Sequence, residues 1–298
     1  MCEDRMIIAT HIDEVRRWRY GRGIVGCGET VALVPTMGAL HAGHASLISQ
    51  AKACADRVAV SIFVNQLQFD DVADFESYPE TRAEDIELCS ALGVDLVFMP
   101  CHDDMYPAVP LAKLVVPNLS QTLCGAVRPG HFDGVGLVVA KLFNIVGPHV
   151  ALFGRKDLQQ LLIIQRIVQD LSFDIKIEPV PIFRESDGLA LSSRNKRLSA
   201  DHRKRAPQIF KALQQLANEI TTGAISDHIV ATVQSRFRSD MAAIDGTRVD
   251  YIDIVDGETL GRLDDQQLRS GRVAYIATAV FFGDVRLIDN VAIEVAAS

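Results

Sequence analysis

Val34-Pro35-Thr36-Met37-Gly38-Ala39-Leu40-His41-Ala42-Gly43-His44 is the stretch whose reading decides the fold. Val31 to Val34 is an apolar run of the kind a buried strand requires. Pro35 to Gly38 reads as a turn. From about Gly43 the residues Leu47, Ile48, Ala51 and Cys54 recur at helical spacing. Two histidines three residues apart thus stand where a strand ends and a helix begins. A helix start presents unsatisfied backbone N–H groups and the positive end of the dipole, which favours an anion. On the residues alone three readings of His41 and His44 stay open: contact with a phosphate, a structural pair at a helix start, or metal ligation. Zinc would need at least three protein ligands, and no third of clear spacing is near.

Working outward, strand 31–34 and helix 43–56 form a first βα unit. Val58 to Val64 reads as a second buried strand. It runs into Asn65-Gln66-Leu67-Gln68-Phe69, placing polar amides at a strand's carboxyl end, where ligands bind in open parallel sheets. Asp70 to Pro79 is an acidic loop, Glu80 to Leu92 a helix and Asp95 to Met99 a third strand. Lys113 to Val116 is expected as a short strand outside this rhythm. Residues 123–134 form a loop rich in glycine and charge that leads into helix 134–146. Val150 to Phe153 is another buried strand, followed by Gly154-Arg155-Lys156-Asp157 and helix 158–171, then a strand over Asp174 to Pro181. Upstream, His11 to Tyr20 has helical spacing. Gly21-Arg22-Gly23-Ile24-Val25-Gly26 matches G-x-G-x-x-G, but it follows a helix and precedes a strand, the reverse of the dinucleotide context, and reads as a glycine-rich loop. The alternation predicts an α/β fold, a parallel sheet with helices on both faces.

After Phe183 the chain becomes polar, and a domain boundary is expected there, giving 1–185 and a smaller α+β domain, 186–298. Helices are predicted at 199–222 and 225–243 and a strand at 249–255. A hairpin is expected from Arg272–Phe282 and Val285–Ile288, joined by Gly283-Asp284.

The 298 residues are 48% hydrophobic and 23% charged with a net charge of −8, the composition of a soluble globular protein without the basic excess of a nucleic-acid surface. Met1-Cys2-Glu3-Asp4-Arg5 carries no apolar segment, so no secretory signal is expected. Gly134 to Gly147 is interrupted by Lys141 and Asn144 and is too short to span a bilayer. The six cysteines form no C-x-x-C pair, which suits free thiols in the cytosol better than disulfides or zinc. There is no G-K-[ST], nucleophile elbow or kinase set, which argues against a P-loop NTPase and a covalent serine hydrolase.

Gly38 and Gly43 allow close approach of backbone to a ligand. Lys156 and Arg194 lie in loops that a parallel sheet would bring to the same edge as the histidine turn, and together they suit the triphosphate of ATP. Ser192 and Ser193 could donate to phosphate oxygens. Nucleotidyl transfer needs no protein nucleophile; preorganised imidazole, backbone and cationic donors suffice.

Several long motifs in order then carry a family resemblance. They are Pro35–His44, Ser61-Ile62-Phe63-Val64-Asn65, Gln68-Phe69, Arg128-Pro129-Gly130-His131-Phe132, Phe153-Gly154 with Lys156-Asp157, Gln159-Gln160, Asp187–Asn195 and Arg286-Leu287-Ile288-Asp289-Asn290. Over nearly its whole length the chain resembles the pantothenate synthetases (pantoate–β-alanine ligases) of the H-I-G-H nucleotidyltransferase superfamily. The resemblance implies a Rossmann-like domain that binds nucleotide and pantoate, with the C-terminal domain as a lid. It implies adenylation of (R)-pantoate by ATP with Mg²⁺, then attack by β-alanine to give pantothenate and AMP, in a cytoplasmic homodimer with neither nucleic-acid nor membrane partners. Carried onto this chain, Met37, Gly38, Ala39, Leu40, His41, Ala42, Gly43 and His44 would form the ATP turn, with His44 as catalytic donor and His41 beside it. Gly154, Arg155, Lys156 and Asp157 would meet ribose and phosphates, with Lys156 on the phosphates. Phe183, through its backbone, and Leu191, Ser192, Ser193 and Arg194 would complete the ATP site. Gln68 and Gln160 resemble the pantoate-binding glutamines, and Asn65, Arg128 and His131 would stand near the second-step site.

Three positions depart from the family's pattern. Gln66 stands where proline is usual, Arg155 where glutamate is and Asp133 where arginine is, changes that bear on affinity more than on the reaction. Two rival readings keep the fold: a nucleotidyltransferase acting on a phosphate ester, and a binder without turnover.

Overall fold

Strands buried on both faces must be apolar along nearly their whole length, and the inner strands of the parallel sheet are built from such runs. The computed structural model describes residues 6–21, 28–69, 75–76, 78–225, 227–270 and 272–293. The glycine-rich loop read over 21–26 falls almost wholly outside them, as does most of the acidic loop, residues 70–74 and 77. By backbone proximity the chain divides into two units, Met1–Arg155 with Ile163–Pro181, and Lys156–Leu162 with Ile182–Ser298.

The first unit holds β1 (Ile7–Ala9), α1 (Ile12–Tyr20), β2 (Val31–Thr36), α2 (Ala42–Cys54), β3 (Arg57–Ile62), α3 (Arg82–Ala91), β4 (Leu96–Phe98), α4 (His131–Val146), β5 (Val150–Gly154) and β6 (Lys176–Val180); of α5 (Leu158–Asp170), between the last two in sequence, it holds the part from Ile163 on. The sheet order is β1-β4-β3-β2-β5-β6, every neighbour parallel. Sequence order runs outward in opposite directions from β2 and β5, so the topological switch lies between them, the place where such sheets bind ligands. One apolar cluster joins Val34, Val60, Val97 and Leu152 of the sheet to Ile48 and Ala51 of α2 and Cys89 of α3. Each fully buried aliphatic side chain of this kind contributes about 1.5–3 kcal/mol.

The differences from the sequence reading have local causes. Three-residue β1 is too short to show a period, yet it forms the sheet edge against β4. Residues 113–116 pair with no strand; the sheet's edges are β1 and β6, and the segment runs into a short helix, Pro117–Ser120. The loop expected over 123–134 contains a helical turn, Leu123–Val127, and α4 begins at His131 because Gly130 takes φ +83° at the helix start. The helix expected over 199–222 is two, α6 (Ala200–Arg205) and α7 (Gln208–Thr221). Pro207 separates them, having no N–H to bond the preceding turn.

In the second unit β7 (Thr247–Asp256), β8 (Ala274–Phe282) and β9 (Val285–Ile293) form an antiparallel sheet in that order. Alternate residues face one way along a strand, and here Ile252, Ile254, Ile276, Val280 and Leu287 join a core with Leu213 and Leu216 of α7 and Val233 and Phe237 of α8 (Ile229–Ala242). Gly283 opens the two-residue hairpin turn at φ +56°. Among the described residues no helix is long and apolar enough to cross a membrane. Cys54, Cys89, Cys101 and Cys124 are free thiols.

Candidate active site

The turn after β2 is held from beneath. Thr36 Oγ1 donates to the Ser61 carbonyl at 2.8 Å and accepts from Gly38 N–H at 3.2 Å. Gly38 sits at φ +86°, and a Cβ there would lie 3.1 Å from Asp85 Oδ2 and 3.2 Å from Ile62 Cγ2. Ala39 follows at φ +51°, a conformation that costs a non-glycine residue about 1–2 kcal/mol. Asp85 of α3 offsets that strain. Buried to 2% exposure, it accepts from Ala39 N–H at 3.0 Å, Leu40 N–H at 2.7 Å and the Thr81 hydroxyl at 3.1 Å.

His41 caps α2. Its Nδ1 accepts from Gly43 N–H at 3.1 Å, while Nδ1 of His44 accepts from His41 N–H at 3.3 Å. This is a reciprocal capping box, which explains the spacing of the two histidines, and their rings lie 4.2 Å apart. The sequence reading assigned an anion to unsatisfied amides of this turn. In the structure the amides of Ala39, Leu40, His41 and Gly43 are all bonded within the protein. With Nδ1 accepting, the proton of each neutral ring belongs on Nε2. Metal ligation lacks support from neighbours, since no group of three His, Cys, Asp or Glu side chains able to hold a metal occurs among the described residues.

A second cluster gathers at the carboxyl end of β3, where Gln66–Gln68 forms a 3₁₀ turn. Gln68 donates through Nε2 to Met37 Sδ, linking this turn to the one after β2. Its Oε1 accepts from Asn65 Nδ2 at 3.2 Å, and its carbonyl accepts from His131 Nδ1 at 2.6 Å and Arg128 Nη2 at 3.4 Å. The pair Asn65 and Gln68 and the pair Arg128 and His131, distant from each other in sequence, therefore meet. The ring proton of His131 is on Nδ1, opposite to the two turn histidines, because a carbonyl only accepts. The turn rests on Gly134, where a Cβ would come within 2.3 Å of the Leu67 carbonyl oxygen. Gly134→Ala is expected to push the Gln66–Gln68 turn off α4 and destabilise the protein by about 1–3 kcal/mol, the usual range for overpacking. A urea titration checks the stability.

In the second unit Lys156, Ser192 and Arg194 line one cleft, with Arg286, Leu287 and Asp289. The loop carrying the serines is tightly built. Arg184 pairs with Ala190 across a bridge, Leu191 N–H bonds the Phe183 carbonyl, and Gly188 turns the chain at φ +96°. Ser192 Oγ accepts from Arg194 N–H at 3.3 Å, which leaves its own proton to donate outward. Asp289, 4% exposed, takes both Arg184 Nη atoms at 2.7 and 2.9 Å, and Arg184 also donates to the Gly188 carbonyl. Burial pushes the Asp289 carboxyl up and Arg184 opposes it. Asn290 Nδ2 donates to the Lys156 carbonyl at 3.2 Å. Three cations thus border the cleft, and its buried carboxylate is ion-paired with Arg184.

Gly154 closes β5, and Arg155–Asp157 forms a 3₁₀ turn with Arg155 and Asp157 exposed. Gln160 is partly exposed on α5. Asp133 lies in the first turn of α4, where a carboxylate complements the helix dipole and an arginine would oppose it. Gln66 opens the 3₁₀ turn, a position that also tolerates proline. Asp85 and Tyr106 escaped the sequence reading, and Arg286 entered it only as part of a motif, without a role; an acid in a helix's first turn has no distinctive pattern.

A parallel sheet with paired histidines at the turn beside its switch point and, in the second unit, a cation-bordered cleft fit an α/β enzyme of the nucleotidyl-transferring class. Comparison with known proteins narrows this. Residues 7–292 match the family model described as pantoate-beta-alanine ligase. The pantothenate synthetase of Akkermansia muciniphila is 45% identical over 268 residues, covering 88% of this chain and 91% of that protein. That of Corynebacterium glutamicum is 47% identical over 267 residues, with 88% and 93% covered. The crystal structure of the pantothenate synthetase from Thermus thermophilus superposes with a TM-score of 0.85 at 40% identity, covering 96% of this chain and 99% of that one. The Francisella tularensis ligase, complexed with beta-gamma ATP and β-alanine, superposes at 0.77 and 34% identity, with 96% and 97% covered. The chain belongs to the pantoate–β-alanine ligase family. Its reaction is the ATP-dependent condensation of pantoate with β-alanine through a pantoyl adenylate.

Proposed function

We propose that His41 and His44 hold the phosphates of ATP through their Nε2 protons, with His44 aimed at the α-phosphate. The reciprocal capping box carries this reading, because it commits both Nδ1 atoms to the backbone. Met37 to His44, Gly154 to Asp157, the Phe183 backbone and Leu191 to Arg194 bind the nucleotide, with Lys156 on the phosphates. The C-terminal domain, 186–298, serves as lid. Gln68 and Gln160 bind pantoate as neutral amides, leaving its carboxylate nucleophilic. Arg128 and His131 stand on the β-alanine side, and Asn65 stands behind Gln68.

A pantoate carboxylate oxygen attacks the α-phosphorus, the bond to the bridging oxygen breaks, and pyrophosphate leaves with the electron pair. The β-alanine amine then attacks the acyl carbon, the nitrogen loses a proton to water, and AMP leaves. Charge gathers on the α-phosphate oxygens in the first step, where fixed imidazole and ammonium donors act most strongly. Mg²⁺, held with the ATP phosphates beside Lys156, would supply neutralisation of the charge on the leaving pyrophosphate. The family resemblance supports a cytoplasmic homodimer, which sedimentation would check.

Incubation with ATP, Mg²⁺, pantoate and β-alanine is expected to release AMP only when all four are present. Absence of AMP above background would overturn the assignment, and turnover with a phosphate ester in place of pantoate would favour the rival acceptor class.

A further inference from the structure

We propose that Tyr106 is a positioning residue that acts through Asn65 to orient the Gln68 amide, so that Gln68 meets the acid substrate with its NH₂ as a hydrogen-bond donor. The inference rests on the reading of Gln68 as a pantoate ligand.

The orientation follows from one atom whose chemistry is unambiguous. The Gly134 carbonyl can only accept, and it lies 3.1 Å from the Asn65 side chain, so the atom facing it is Nδ2. Asn65 Oδ1 therefore faces Tyr106 Oη at 3.1 Å, and the tyrosine must donate. The second proton of Nδ2 points at Gln68, 3.2 Å away, where only Oε1 can receive it. Gln68 is left with Nε2 directed away from Asn65, on the side of Met37. Both Asn65 N–H bonds and its oxygen are consumed, and the residue is 1% exposed. Asn65 thus transmits an orientation rather than contacting substrate.

Tyr106 is suited to this role. It is 5% exposed at the end of the short helix His102–Met105, with Lys141 Nζ 5.5 Å from its ring centroid and the Phe63 ring 6.1 Å away. Burial pushes its hydroxyl up to about 12, so it stays a donor at any working pH. Without that donor the Asn65 oxygen is buried without its partner; the Gly134 carbonyl still favours Nδ2, but the amide is no longer held from both ends and orients Gln68 less firmly. In part of the molecules a carboxylate or hydroxyl oxygen of the substrate would then meet Oε1 instead of NH₂.

Tyr106→Phe, alone and combined with Gln68→Leu, tests the relay with ATP saturating. Tyr106→Phe should raise the KM for pantoate about five- to tenfold, the scale of one lost hydrogen bond, and leave the KM for ATP within about twofold. In the Gln68→Leu background it should change neither. Slow exchange of the Asn65 side-chain amide protons by NMR should be lost in the single variant, a readout independent of turnover. An equal rise in both KM values, an undiminished effect in the Gln68→Leu background, or unchanged amide exchange would overturn the relay. If Gln68→Leu itself leaves the pantoate KM unchanged, the pantoate reading of Gln68 fails and the proposal with it. If Gln68→Leu raises the pantoate KM and Tyr106→Phe does not, the relay alone fails.

Discussion

His44→Ala lowers the rate of pantoyl-adenylate formation by about 10²–10³, the loss expected for one donor aimed at a developing anion in a preorganised site. The physical argument is specific to Nε2. His41 N–H occupies His44 Nδ1, so the ring cannot turn Nδ1 to the ligand without breaking the cap, and Nε2 is the nitrogen left to donate. Single-turnover measurement of pyrophosphate release separates this from slower binding: the rate should fall at saturating ATP. A loss under tenfold would mean that the imidazole is not directed at the transition state. Removing the N3 partner of the cap also costs helix stability, about 0.5–2 kcal/mol, so a melting curve taken in parallel keeps the two effects apart.

Asp85→Ala has the largest combined effect expected here. It strands the N–H groups of Ala39 and Leu40 inside the protein, at about 1–3 kcal/mol for each unsatisfied group. Ala39, at φ +51°, also loses the acceptor on its own N–H and on that of the next residue. The turn should relax, moving both histidines, and displacements of about 1 Å are enough to cost roughly 10² in rate. Chemical denaturation should show the stability loss and the AMP assay the loss of turnover. Asp85→Asn is the intermediate case, because it keeps one acceptor oxygen but turns an NH₂ toward a backbone N–H. Full activity in Asp85→Ala would show that the turn holds its shape without the carboxylate.

Much of the architecture was open to a reader of the chain because it depends on local pattern. Val31 to Val34 and Val58 to Ile62 are too uniformly apolar to face water on either side, and they are adjacent strands. The helix after Gly43 was visible in its period, and the His-x-x-His spacing coincides with the N-cap and N3 positions. The alternation of strand and helix implied parallel pairing, which the sheet shows throughout. The break at Pro207 was legible in principle; the helical period of the flanking segments masked it. The edge strand Ile7–Ala9 was not, since three residues carry no period.

The candidate site divides in the same way. The residue types at the histidine turn, at Gln68 and in the Ser192–Arg194 loop declare donors and cations by themselves. Which atoms do the donating was hidden. Asp85 reaches Leu40 across 45 positions of chain, and Asn65 reaches Gly134 across 69. The sequence by itself determined where strands end and helices begin, and so where ligands can approach, because burial and capping act over a few residues. Only the tertiary structure decided which amides of the opening turn are already engaged, which nitrogen of His41, His44 and His131 holds the proton, and which end of the Gln68 amide is presented. Those choices follow from single hydrogen bonds between distant segments, whose direction is set by groups such as carbonyl oxygens that can only accept.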